Sequence, residues 1–320
     1  MKSLLQKIFS NYFWLGIALF VVLFAVNLII LPNILAPRNI ISTLAVAAPL
    51  VLASMAATPS ILSGGVDLST GVTLGFINVA IFTIVSPLGI LNNPVLTLIV
   101  LLLIGAAIGA INGALITIVR LQPIVATLGT YLILSGVSKN LMPAPGGVVP
   151  DWLSMLGGYI GPIPGPVLVV AVPIALWLLL TRLPYYRALM ATGGDERAAF
   201  SAGLPVIKIR IIAYTIGGML AAIAGIALTA LVNSGDATLG NNYTLIAIAA
   251  TILGGTSFAG GRGGMLGAVF GALDIFIIQK LLTSAQVPVA WFQVTYGLIL
   301  IFSLIADYTL RSATARSTGV

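Results

Sequence analysis

A chain of 320 residues that is 59% hydrophobic and 7% charged is no soluble domain, since globular proteins carry about a quarter charged residues. It reads as a polytopic membrane protein, and the formal net charge of +7 fits basic loops facing a cytoplasm, not nucleic acid, for which no basic run is present. Cysteine and histidine are both absent, which removes thiol chemistry, disulfides and the usual zinc, haem and iron-sulfur ligand sets, so no metal or cofactor is expected in this chain.

The first apolar run, Phe13 to Leu31, has Asn27 as its only strongly polar member. It is long enough to span a bilayer and longer than a signal-peptide core, and reads as an uncleaved first helix. Apolar windows of about 20 residues place further spans near 42–62, 71–87, 95–118, 122–138, 164–181, 211–232, 243–255, 264–282 and 290–308. That makes ten, with the eighth too short to cross alone, in a single transmembrane domain covering residues 1–320. With a cytoplasmic N-terminus, eleven basic residues (Lys2, Lys7, Arg120, Arg182, Arg187, Arg197, Lys208, Arg210, Arg262, Arg311, Arg316) fall inside and three (Arg38, Lys139, Lys280) outside. This positive-inside bias assigns both termini and residues 181–210 to the cytoplasm.

The second span holds Pro49 and Pro59 and runs into SGGVDLSTG, which predicts a bent or broken helix at Gly64-Gly65. Asp67 either caps the next span or meets a partner or substrate. Asn78 and Asn112 lie in the third and fourth spans, where they either make interhelical hydrogen bonds or face a polar pathway. Gly105, Gly109 and Gly113 form one small-residue stripe for close helix packing. LQPIVATLGTYLILSG adds Gln122, Thr127, Thr130 and Tyr131 to an apolar helix. The proline- and glycine-rich stretch 141–166 is the largest outer loop, with Asp151 and Trp152 opening a short interfacial helix.

Residues 181–210 form the one long polar segment, with five of the fourteen basic residues and two of the seven acids. Gly193-Gly194 is expected to break the chain, Asp195 to cap a short helix, Glu196 to sit in its first turn and Gly203 to end it. Such a helix, bearing Ala198, Ala199, Phe200 and Ala202, is too short to stand alone and must be held by packing. Further on, TILGGTSFAGGRGG is a second glycine-rich break, at Gly254, Gly255, Gly260 and Gly261. It is no phosphate loop, since no G-x-x-x-x-G-K-[ST] occurs anywhere. It faintly echoes the first break, because Ile61-Leu62 precedes one and Ile252-Leu253 the other, and the topology puts both on one side. Asp274, near the middle of the ninth span, is either a coupling residue, a neutral or paired group, or a cavity group.

Taken together in this order, SGGVDLSTG, LQPIVATLG, the GGD-E-x-AA-x-SAG pattern of 193–203 and ILGGTSFAGGRGG resemble the membrane-spanning permeases of bacterial carbohydrate ABC importers, the ribose, galactose, xylose and autoinducer-2 group. The resemblance implies an all-α bundle of about ten transmembrane helices, type II ABC importer-like, with broken or re-entrant segments in the bacterial inner membrane. It also implies two permease copies or a permease and a paralogue, cytoplasmic ATPase subunits that carry ATP and Mg, and a periplasmic solute-binding protein. By position, Gly194, Asp195, Glu196, Ala198, Ala199, Phe200 and Gly203 then belong to the coupling helix that inserts in the ATPase. The chain departs from the family at Asp195, where Asn is commoner, near Phe200, and at Asp274, where the stretch is usually apolar.

On this reading the chain is no enzyme: with no histidine or cysteine and a single glutamate, no acid-base pair is visible. Asn78, Asn112, Thr127 and Tyr131 are the candidates to line a path for a small polar solute, a monosaccharide on the resemblance. The competing reading is an ion-coupled secondary transporter that acts alone through Asp274 or Asp67.

Overall fold

The computed structural model describes residues 12–318. Lys2 and Lys7 lie outside the described residues, as do the side chains of Arg38, Arg311 and Arg316. In chain order the helices are α1 (Tyr12–Ile30), α2 (Pro37–Leu62), α3 (Thr70–Ala80, prolonged by a wider turn Ile81–Val85), α4 (Pro94–Thr117), α5 (Pro123–Leu141), α6 (Asp151–Gly157), α7 (Gly165–Thr181), α8 (Pro184–Gly194), α9 (Glu196–Ser201), α10 (Val206–Val232), α11 (Tyr243–Leu253), α12 (Met265–Ser284) and α13 (Ala290–Thr318). A two-residue antiparallel hairpin, β1 (Tyr159–Ile160) and β2 (Ile163–Pro164), sits between α6 and α7. Several helices open on proline, where the missing N–H costs nothing, and Asn93 caps α4 by accepting from the Leu96 N–H at 3.2 Å.

Helices α2, α4, α5, α10 and α12 are long and apolar enough to cross a membrane, and α7 with α8 passes the same test across an 83° bend. Four shorter apolar helices, Gly16–Ile30, Thr70–Val85, Leu239–Leu253 and Ala290–Ile305, fill the other positions where hydropathy predicts spans. The chain is an all-α polytopic membrane protein. The eighth segment is short, as expected.

Two helices organise the packing. Helix α2 is buried from Ala47 to Leu62, and α10 lies against α2, α3 and α4. The stripe Gly105, Gly109, Gly113 faces α10 at Gly218, Tyr214 and Ile211, so close that any Cβ would overlap the α10 backbone. Backbone-to-backbone approach of this kind supplies association where lipid offers no hydrophobic drive. Helix α2 runs unbroken through Pro49 and Pro59, and the break comes only at 63–69. Hydroxyls stitch this region to its neighbours: Ser54 Oγ donates to Ala268 O at 3.1 Å and Thr251 Oγ1 donates to Ser54 O at 3.0 Å, joining α2 to α12 and α11.

Helix α6 is present, and one of its faces packs on the protein. Its Leu153 is fully buried, Gly157 lies on the α10 backbone at Ala230, and the Trp152 indole donates to Leu91 O at 2.9 Å. Residues 146 and 235 form an isolated backbone bridge, which ties this loop to the turn after α10.

Adding a methyl in the stripe should separate helices. Gly109→Ala is expected to destabilise the detergent-purified protein by about 1–3 kcal/mol, whereas Gly129→Ala, where nothing lies within 4 Å, should be neutral or gain up to about 1 kcal/mol. Thermal unfolding followed by fluorescence distinguishes the two.

Candidate coupling site

Between α7 and α10 the chain folds back on itself. Leu183, extended as residues before proline are, turns α7 into α8 through Pro184. The Tyr185 hydroxyl donates to Ile209 O at 3.1 Å, and the Trp177 and Tyr186 rings meet edge-on at 5.9 Å, so α8 is held to α10 and α7. Gly193-Gly194 does not break the chain. Both residues lie in the last turn of α8, and the break falls at Asp195, whose backbone is extended. The reason is packing: Gly193 is buried against the Leu62 carbonyl, a place only a residue without a Cβ can take.

Asp195 caps α9 by accepting from the Ala198 N–H at 3.0 Å, and Gly203, at φ +81°, ends it. The Gly203 and Leu204 N–H groups return to the Phe200 and Ala199 carbonyls at 2.9 and 3.1 Å. Gly194, Asp195, Glu196, Ala198 and Gly203 are exposed, and the Phe200 side chain is 73% exposed. Ala199 departs from the expectation: it is buried against its own chain, because a six-residue helix has one inward face and Ala199 occupies it.

The break after α2 meets this segment. Arg210 Nη1 pairs with Glu196 Oε2 at 3.0 Å, and Arg210 Nε donates to Ser63 O at 3.3 Å. Arg210 is 14% exposed and Glu196 51%, so the pair itself contributes at most about 1 kcal/mol. Its geometry matters more, because one planar fork holds α9, α10 and the end of α2 together. The second break joins them: the Gly261 N–H donates to Leu62 O at 3.1 Å, Gly260 lies on Gly64 and the Gly193 carbonyl, and Gly261 lies on Gly194. Three glycine-rich segments far apart in sequence thus form one junction. Gly65 faces the buried Tyr214 hydroxyl, Gly255 turns the chain at φ +88°, and Gly254 instead packs on Gly267 of α12.

From the junction a chain of polar side chains runs inward. Asp67 Oδ1 accepts from the Ser69 N–H and hydroxyl at 2.8 and 2.6 Å, Asn112 donates to Ser69 Oγ at 2.8 Å, and Thr130 donates to Asn112 Oδ1 at 2.5 Å. Thr127 accepts from the Leu68 N–H at 3.1 Å. Asp67 is therefore a structural acceptor at the start of α3. The four path candidates do not form one wall. Asn112 and Thr127 hold the 63–70 segment, whereas Asn78 is fully buried elsewhere, bonding Thr229, Ser234 O and the Asp236 N–H. Tyr131 is half-buried in the α3–α6 cluster. Asp274 is buried with no hydrogen-bond partner for either oxygen, and Lys280 donates to Thr43 at 2.9 Å.

Arg210 was counted in the sequence only as a cytoplasmic charge, and its role escaped notice. The available signal was a lone cation in the second turn of a long apolar helix; its partner Ser63 lies 147 positions away. Across residues 39–304 the chain matches the family described as the branched-chain amino acid transport system permease component. The chain belongs to this permease family. The matched span contains both glycine breaks, α9 and Asp274. The permease is 34% identical to the ribose import permease protein of Bacillus subtilis over 91% of each chain. It is 35% identical to an autoinducer 2 import system permease protein of Klebsiella pneumoniae, over 99% of this chain and 91% of that one. It is 32% identical to a D-allose transport system permease protein of Escherichia coli over 80% and 79%. No solved structure matches it significantly.

Removing the cap should loosen α9 alone. Asp195→Ala is expected to cost the helix about 0.5–2 kcal/mol, read as faster amide exchange across 196–201, while Asp195→Asn, which keeps the acceptor, should leave exchange close to wild type.

Proposed function

We propose that this chain is the membrane subunit of an ATP-driven importer of a small neutral solute, a monosaccharide by the names of its relatives, in the bacterial inner membrane. The observation that carries this reading is the Glu196–Arg210–Ser63 link, because it connects an exposed, capped helix to the break that ends the buried part of α2. In this reading a cytoplasmic ATPase, holding ATP and Mg, receives α9, with Phe200 as the apolar contact. Closure of the ATPase moves α9, Arg210 passes the displacement to the glycine junction, and the helices alternate access. Two permease copies, or this chain and a paralogue, frame the route, and a binding protein delivers solute at the opposite face, where 141–166 meets the turn after α10. The orientation follows from the positive-inside bias, with both termini cytoplasmic. For Asn78 and Asn112 to contact solute, their interhelical bonds would have to open during transport.

Replacing residues 195–203 by a Gly-Ser linker should abolish co-purification of an ATPase subunit with the tagged permease and end solute-stimulated ATP hydrolysis. Hydrolysis that survived this change would defeat the reading.

The unpartnered Asp274 carboxyl favours a second reading, ion-coupled transport by this chain alone. Asp274→Asn separates the two. A buried carboxylate without a partner is costly, so under the importer reading the variant keeps ATP-driven uptake and unfolds at the same or a higher temperature. Loss of an ATP-independent, gradient-driven uptake in liposomes would instead assign transport to Asp274.

A further inference from the structure

At the end of the bundle away from the glycine junction, a cavity of about 670 Å³ opens between α2, α10, α11, α12 and α13. Its lining begins at Asn241, Asn242 and Ala290, at the first turns of α11 and α13, and reaches Leu300. Ten residues of helix from Ala290 to Leu300 span about 15 Å, half the roughly 30 Å thickness of a hydrocarbon core. The cavity therefore runs from one membrane face to the middle. The segment that forms its rim, Leu239–Asn242, follows directly on the 233–238 turn, which is bridged to the 141–166 loop.

Most of the lining is apolar, with polar groups set at a few points along it. Among the described residues no charged side chain lines it; its polar groups are carboxamides and phenols, from Asn241, Asn242, Gln279, Gln293, Tyr243 and Tyr296. Tyr296 and Gln279 line it from facing helices, α13 and α12. Carboxamides carry donors and acceptors together, which matches hydroxyls that also do both, and the aromatic faces suit the apolar face of a ring. Neutral groups also hold a passing ligand weakly enough to let it go, as a conducting site must.

We propose that this cavity is the outer vestibule in which a neutral polyhydroxy compound, released at the membrane face, rests before passing inward. The assignment of solute class rests on the importer reading; the existence of a hydrated vestibule does not. The residues that contact the solute first are then Gln293, Gln279, Tyr243 and Tyr296, and not the four path candidates read from the sequence.

The chain has no cysteine, so single thiols can be placed without background. Gln293→Cys and Gly297→Cys lie on the lining, and Gly297 has nothing within 4 Å of an added Cβ. Leu298→Cys, on the neighbouring face of α13 and 49% exposed, is the reference outside it. Spheroplasts carrying the whole transporter are treated with a membrane-impermeant anionic methanethiosulfonate. A thiol in water ionises more readily than one in lipid, roughly tenfold per unit of thiol pKa, so both lining thiols are expected to react at least about tenfold faster than the reference. Their modification should also stop ATP-driven uptake of D-ribose, D-allose or D-galactose, whichever the unmodified transporter accumulates. Lining thiols as slow as Leu298→Cys would overturn the proposal, with lipid or a second permease copy filling the space. Fast labelling that left uptake intact would overturn it as well, making the space a hydrated dead end. If the transporter accumulated none of the three sugars, or did so without ATP, the importer reading would fall, while the labelling rates would still decide whether the vestibule exists.

Discussion

The structure depends on how the last carbonyls of α2 are satisfied. A helix that ends inside protein at membrane depth leaves carbonyl groups that water cannot reach, each costly if unpaired. Here the Ile61 carbonyl takes the Gly64 N–H at 2.9 Å and the Ser60 carbonyl takes the Gly65 N–H at 3.0 Å, both within the local turn. The next two are satisfied from a distance: Leu62 by the Gly261 N–H and Ser63 by Arg210. Gly193 and Gly260 are required by that arrangement, because a Cβ on either would overlap the backbone of the junction, and Gly64 takes the turn at φ +81°.

The same accounting explains how the polar segment 181–210 is held in spite of its composition. Helix α9 has too few turns to persist alone, yet it has a side-chain cap, carbonyls closed by Gly203 and Leu204, an inward alanine and an ion pair to the neighbouring helix. What remains exposed is a face of Glu196, Arg197 and Phe200. In the proposed importer, the 73% exposed Phe200 on a helix so held is the apolar contact offered to the ATPase.

Helix positions, the short eighth segment, the cap at Asp195 and the stop at Gly203 were legible in the sequence, because hydropathy and capping are local properties. The glycine stripe of α4 was legible for the same reason: a period of four residues is visible without its partner. The junction was only half legible. Both breaks were seen and set on one side, but nothing local to Gly193 or Gly261 says that they touch, and Gly193-Gly194 was taken for a break when close packing was its purpose. Asn78 shows the opposite limit. A lone asparagine in an apolar helix looks like a pathway group until its three partners, brought from the end of α10 and the following turn, account for it.

Helix α10 connects the two ends of the molecule. Near its start Arg210 holds the junction and α9; near its end Thr229 bonds Asn78, and Leu228, Leu231 and Val232 line the cavity. Between these points it packs on α2, α3 and the glycine stripe of α4, where helix backbones touch directly. A helix held at both ends by directional bonds and in the middle by close backbone contact is suited to shear, in which a small sliding displacement is carried along the element without repacking a core. A displacement of Arg210 along the axis would reach the cavity wall with little loss, because the intervening turns are continuous α-helix from Val206 to Val232. Among the bonds that would then have to give way are Ser63 to Arg210, Ile209 to Tyr185 and Asn78 to Thr229, each a single hydrogen bond worth about 1–3 kcal/mol.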